Sequence, residues 1–176
     1  TKLDHQIMPP LVVLIGAPGS GKSSVGRQLA KLTNSEFVDT DALIEASEGK
    51  KISDIFVENG EPYFREVEKK VVLDTLNSDD AVVSLGGGSI LNQQVQEKLV
   101  PMKNKVIFLE VSISNAAPRV GFNKERPLLV GNPRAKWQNL MEQRRPIYER
   151  LATTKISTDN KKPLQVAQEI AQALKI

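Results

Sequence analysis

The chain has 176 residues, 40% hydrophobic and 26% charged, with a formal net charge of +3 and no cysteine. Such a length suits a single domain with its own core. The absent cysteines exclude a disulfide framework and thiolate chemistry. No apolar stretch reaches the length of a membrane span, residues 1–10 lack the apolar centre of a signal peptide, and the basic residues form no tract that would suit a nucleic acid. The expectation is a cytoplasmic monomer, one domain over 1–176, with no nucleic-acid or membrane partner.

Along the chain, apolar β-branched runs alternate with helical patterns. Strands are predicted at 11–15, 36–38, 81–85, 105–110 and 154–158. Helices are predicted at 22–32, 41–47, 52–58, 61–77, 92–100, 114–119, 135–150 and 164–174. This alternation predicts a parallel sheet covered on both faces. In the first helix Val25, Leu29 and Leu32 recur at helical spacing. In the last, Leu164, Val166, Ile170 and Leu174 predict a core-facing stripe behind Pro163. Asn92 is placed to cap the helix after Gly86–Gly88. Residues 121–134, with two Gly, two Pro and three basic groups, break the pattern and read as a lid that closes over phosphates.

The first strand runs into Gly16-Ala17-Pro18-Gly19-Ser20-Gly21-Lys22-Ser23, which satisfies G-x-x-x-x-G-K-[ST] at every fixed position. A strand ending in a glycine-rich turn that opens a helix aims backbone N–H groups and a helix dipole at one point. A nucleotide's terminal phosphates fit there, with Lys22 on their oxygens and the Ser23 hydroxyl on Mg²⁺. A GTPase switch is excluded. No D-x-x-G occurs, and Asn123-Lys124-Glu125-Arg126 has Arg where an Asp must read guanine. Glu110, at the end of Val106–Glu110, imitates the metal-holding acid of motor ATPases but reads better as a solvated carboxylate.

The second strand closes on Phe37-Val38-Asp39-Thr40-Asp41. Residues just past parallel strands face the ligand crevice. Phosphoryl transfer needs one acid to organise the metal and one to orient and deprotonate an acceptor hydroxyl. Asp39 suits the first task and Asp41 the second, although Asp41 could instead cap the next helix. The third strand ends in Gly86-Gly87-Gly88, where absent side chains leave backbone N–H groups to floor a small substrate. Arg65 could form an exposed pair with Glu68, and Arg144 competes with Arg145 for any role in binding a carboxylate. His5 and Trp137 read as tail and packing residues.

Together G-x-x-G-S-G-K-S, F-x-D-x-D, the F-R-x-x-E of Phe64–Glu68, S-L-G-G-G, the R-P-L-L of Arg126–Leu129 and the R-x-P-x-Y of Arg144–Tyr148 resemble shikimate kinase over residues 9–175. The resemblance implies a P-loop NTPase fold of the nucleoside-monophosphate-kinase-like group. This is a three-layer α/β/α sandwich with a five-stranded parallel sheet, a substrate-binding helical region at about 41–70 and a lid at about 121–134. It implies transfer of the γ-phosphate of ATP to the 3-hydroxyl of shikimate, on the route to chorismate and aromatic amino acids.

Carried over by residue, it implies that Gly19, Ser20, Gly21, Lys22, Ser23 and Ser24 surround the ATP phosphates, with Ser23 and Asp39 on Mg²⁺. Asp41 would be the base. Arg65, Arg144 and the backbone of Gly86, Gly87 and Gly88 would hold shikimate. Arg126 would swing in on the phosphates, and Arg119 and Lys161 would lie at the adenine. Lys161 stands where the family often has arginine, and lysine lacks the planar stacking face. Two rivals use the same scaffold: a gluconate or other hydroxyacid kinase, and a silent ATP-binding module. Intact Lys22, Asp39, Asp41 and Arg126 argue against the second.

Overall fold

The computed structural model describes residues 10–78, 80–120 and 132–176, of Val120 the backbone alone. Among the described residues five strands form one sheet: β1 (Val12–Ile15), β2 (Glu36–Asp39), β3 (Ala81–Ser84), β4 (Val106–Glu110) and β5 (Thr154–Ser157). Their order is β2-β3-β1-β4-β5 and every pairing is parallel. The three inner strands are apolar and buried nearly throughout, as a strand covered on both faces must be. The edge strands β2 and β5 carry the exposed Glu36, Lys155 and Ser157.

Side chains alternate across the sheet with period two and so divide the core. Val13 and Ile15 of β1, Val83 of β3 and Val106 and Phe108 of β4 pack on one face. Val12, Leu14, Val82, Ile107 and Leu109 pack on the other. The second face is covered by α1 (Lys22–Thr33) and α8 (Pro163–Leu174), through Val25, Leu29, Val166 and Ile170. The first is covered by α4 (Glu61–Thr75), α5 (Gln93–Leu99) and α7 (Pro133–Leu151), through Val72, Val95, Trp137, Met141, Tyr148 and Leu151. A smaller core of Ile44, Ile55 and Phe64 joins α2 (Thr40–Glu48) and α3 (Ile52–Asn59) to α4. The eighth helix described, α6 (Ile113–Val120), follows β4.

The predicted elements are all present, with ends moved by one or two residues. Asn92 caps α5 by accepting from Val95 N–H at 3.1 Å, and Pro163 opens α8. Three expectations change. Leu32 is 47% and Leu164 43% exposed, because each lies at a helix end beyond the covered stripe; Ala30 and Ala167 complete those stripes instead. The cap of α2 is Asp39 rather than Asp41: its Oδ1 accepts from Asp41 N–H at 2.9 Å and Ala42 N–H at 3.4 Å. The expected lid of 121–134 loses its end to α7, because Asn132 accepts from Ala135 N–H and Pro133 provides a ready-made first helical residue. Residues 121–131, Arg126 included, lie outside the described residues.

Candidate active site

The turn after β1 requires positive φ at Gly19 (83°) and Gly21 (88°), a conformation costly for residues with a Cβ. Gly21 is also the residue from which α1 departs, with no side-chain cap and no acid in its first turn. The first N–H groups of α1 therefore face the cleft uncapped, which favours an anion. In contrast, α2 is capped by its own Asp39. Lys22 Nζ donates to Gly16 O (2.8 Å), Ala17 O (3.0 Å) and Ser20 Oγ (3.4 Å), so its ammonium is folded onto the loop. Ser23 Oγ donates to Asp39 Oδ2 at 2.7 Å. Arg119, in the last turn of α6, donates to Gly19 O at 3.0 Å and so lies against the loop.

A cleft of ≈ 140 Å³ opens between this loop and the ends of β2 and β3. It is lined by Lys22, Ser23, Asp39, Asp41, Gly86 and Gly87 together with Gly19, Gly21, Ser24, Ser84 and Leu85. Thr40, fully buried between the two acids, fixes its far wall. Its hydroxyl donates to Ser84 O at 3.2 Å and accepts from Gly86 N–H at 3.3 Å, which ties the start of α2 to the end of β3.

Each successive glycine of the triplet makes room for charged side chains. A Cβ on Gly86 would lie 2.6 Å from Asp41 Oδ1 and 3.3 Å from Glu68 Oε2. On Gly87 it would lie 3.4 Å from an Arg144 nitrogen and 3.1 Å from Pro18 Cδ. On Gly88 it would fall 2.5 Å from an Arg65 nitrogen. The triplet is thus the floor on which Asp41, Arg144 and Arg65 converge, and it touches the phosphate loop through Pro18. Two guanidinium groups and one carboxylate at adjoining positions can hold a small acid by its carboxylate and meet its hydroxyl with a proton acceptor.

Arg144 and Arg145 are told apart by burial. Arg144 is 3% exposed and lies on the buried stripe of α7. Arg145 pairs with Glu110, which also lies 3.8 Å from Lys155. Glu110 is therefore a partner in an ion-pair cluster, neither freely solvated nor placed among the cleft residues. Lys161 Nζ is bonded to Glu169 Oε2 of α8 at 3.0 Å. Trp137 is buried as expected, and its indole also donates to Pro18 O at 3.0 Å.

Sequence reading under-rated Glu68. It pairs with Arg65 at 2.8 Å, but only 4% of it is exposed, so the pair is not a solvated one. Burial pushes its carboxyl above the usual value of 4.5, Arg65 opposes this, and the charge of Asp41 adds to it. Thr40 and Tyr148 were also given no role. The available signals were the position between two acids and the end of R-x-P-x-Y.

Known proteins resemble this chain in sequence and fold. The family described as shikimate kinase matches residues 18–175. The shikimate kinase of Thermobifida fusca is 50% identical over 165 residues, 94% of this chain and 95% of that one. The shikimate kinase of Rhodococcus erythropolis is 48% identical over 168 residues, 95% of this chain and 98% of that one. Among solved structures, the shikimate kinase from Acinetobacter baumannii in complex with shikimate superposes with a TM-score of 0.89 at 34% identity, covering 96% of this chain and 93% of that one. A gluconokinase from Sinorhizobium meliloti, with a TM-score of 0.54 at 22% identity, shares the fold alone. With its paired acids, its glycine floor and the phosphate loop from Pro18 onward inside the matched region, this chain belongs to the shikimate kinase family.

Proposed function

We propose that this chain transfers the γ-phosphate of ATP to the 3-hydroxyl of shikimate. The observation that carries the proposal is the convergence of Asp41, Arg144 and Arg65 on three successive glycines that touch the phosphate loop. Arg65 and Arg144 bind the acceptor carboxylate as paired charged donors. Asp41 accepts the proton of the attacking hydroxyl. The hydroxyl oxygen bonds to the γ-phosphorus, the bond to the β,γ-bridging oxygen breaks, and ADP leaves. Lys22, which lines the cleft, bonds the phosphate oxygens as a charge-assisted donor.

Ser23 Oγ and Asp39 Oδ2 are two hard oxygen donors at the cleft, 2.7 Å apart, which fits Mg²⁺. They would hold the ion, which when bound with ATP would neutralise phosphate charge. Arg119 at the loop belongs to the nucleotide side, and Arg126 is assigned to the phosphates by the family pattern alone. Lys161, like Arg126, is assigned to the nucleotide by the family pattern alone, and its ammonium bonds Glu169 at 3.0 Å.

Release of ADP from Mg-ATP tests the proposal. It should depend on added shikimate and be negligible with gluconate, which has a carboxylate but no ring to fix one hydroxyl at Asp41 while the arginines hold that carboxylate. Equal turnover with gluconate, or none with shikimate, would overturn it.

A further inference from the structure

Helix α7 has no assigned part in the reaction beyond Arg144, yet its buried face reaches two backbone carbonyls. Trp137 donates its indole N–H to Pro18 O, in the phosphate loop. Tyr148, fully buried and stacked on Phe108 with ring centroids 5.1 Å apart, donates its hydroxyl to Gly87 O, in the glycine floor. The two side chains lie three helical turns apart, about 16 Å at 1.5 Å per residue. Met141 and Arg144 occupy the same stripe between them. The carbonyls they reach sit either side of the contact between Gly87 and Pro18.

A trans peptide is planar, so holding its carbonyl sets the opposite direction of the N–H that follows. Trp137 therefore orients the Gly19 N–H and Tyr148 the Gly88 N–H. The first belongs to the loop proposed to hold phosphate, the second to the floor beneath Arg65. Neither side chain lines the cleft. We infer that Trp137 and Tyr148 are positioning residues, Trp137 for the nucleotide and Tyr148 for the acceptor, each acting through one peptide plane. This rests on the kinase reading above.

The two roles separate in steady-state kinetics. Trp137 is the only tryptophan of the chain, so global replacement of tryptophan by 3-benzothienylalanine removes this N–H and keeps the ring shape. KM for ATP should rise about three- to tenfold, the factor one hydrogen bond commonly carries, with KM for shikimate within about twofold. Tyr148→Phe should do the converse. Phe108→Leu, which removes the stacking partner and leaves the hydroxyl, should lower Tm without splitting the two KM values. Joint movement of both constants in either variant, movement of neither, or a Phe108→Leu profile matching Tyr148→Phe would overturn the inference. Should the wild type fail to turn over, the kinase reading fails first. Calorimetric ADP affinity then still decides on Trp137: about three- to tenfold weaker in the benzothienyl protein supports its role, and unchanged affinity contradicts it.

Discussion

The proposed nucleotide side of the cleft is built on one unbroken loop, Gly16–Ser23, whose backbone N–H groups and uncapped start of α1 are joined by the side chains of Lys22 and Arg119. The acceptor side takes Asp41, Arg65 and Arg144 from three helices far apart in sequence and seats them on a floor without side chains. Backbone recognition suits a ligand part common to every nucleotide. Side-chain recognition suits the partner that must be chosen. A substitution on the acceptor side should therefore damage one substrate's use and spare the other's.

The largest effect tests the acid that faces both halves. Asp41→Asn should reduce turnover by about a thousandfold, within the range for a general base, while ADP binding by calorimetry changes little. A variant with near-wild-type turnover would remove Asp41 as the base. Next come the arginines. Arg144→Ala should raise KM for shikimate about a hundredfold and lower Tm, since Arg144 is buried. Arg65→Ala, with 24% of the side chain exposed, should raise it about tenfold with Tm little changed. In both, KM for ATP should stay within about twofold. A comparable rise in KM for ATP would erase the distinction between the two sides.

Gly88→Ala sharpens the comparison without removing any charge. Gly88 has φ −96°, which alanine adopts freely, and the nearest atoms to the added methyl are those of the Arg65 guanidinium. KM for shikimate should rise severalfold, about half the logarithmic loss of Arg65→Ala, at unchanged Tm. An unchanged KM would show that Arg65 does not need that floor.

The smallest effect is electrostatic. Burial holds the folded-state pKa of Glu68 above 4.5, so the native chain binds this proton more tightly than the unfolded chain does. Its contribution to stability therefore falls as pH rises from about 4.5 through the folded value, and levels off above it. The unfolding free energy of wild type minus Glu68→Gln should drift downward over that window. An upward drift would mean that Arg65 outweighs burial.

The same contrast explains what sequence reading could reach. The phosphate loop was legible because strand, turn and helix lie side by side in the chain, and the sheet because β1, β3 and β4 are continuous apolar runs. Arg65 and Arg144 were found through the family pattern. Only the spacing to Pro146 and Tyr148 favoured Arg144 over Arg145 until the buried stripe of α7 separated them. The cap of α2 stayed open because two aspartates two positions apart both suit a helix start, and the bonds from Asp41 N–H and Ala42 N–H to Asp39 settle it. Burial of Glu68 and the bonds of Trp137 and Tyr148 depend on tertiary packing, to which short-range spacing is blind.

A crystal structure of the chain with ADP and shikimate would test the central claim most directly. The account predicts the acid's carboxylate between Arg65 and Arg144, over Gly87 and Gly88, with the 3-hydroxyl the one closest to Asp41. A carboxylate turned towards Lys22, or shikimate seated away from the glycine floor, would contradict it.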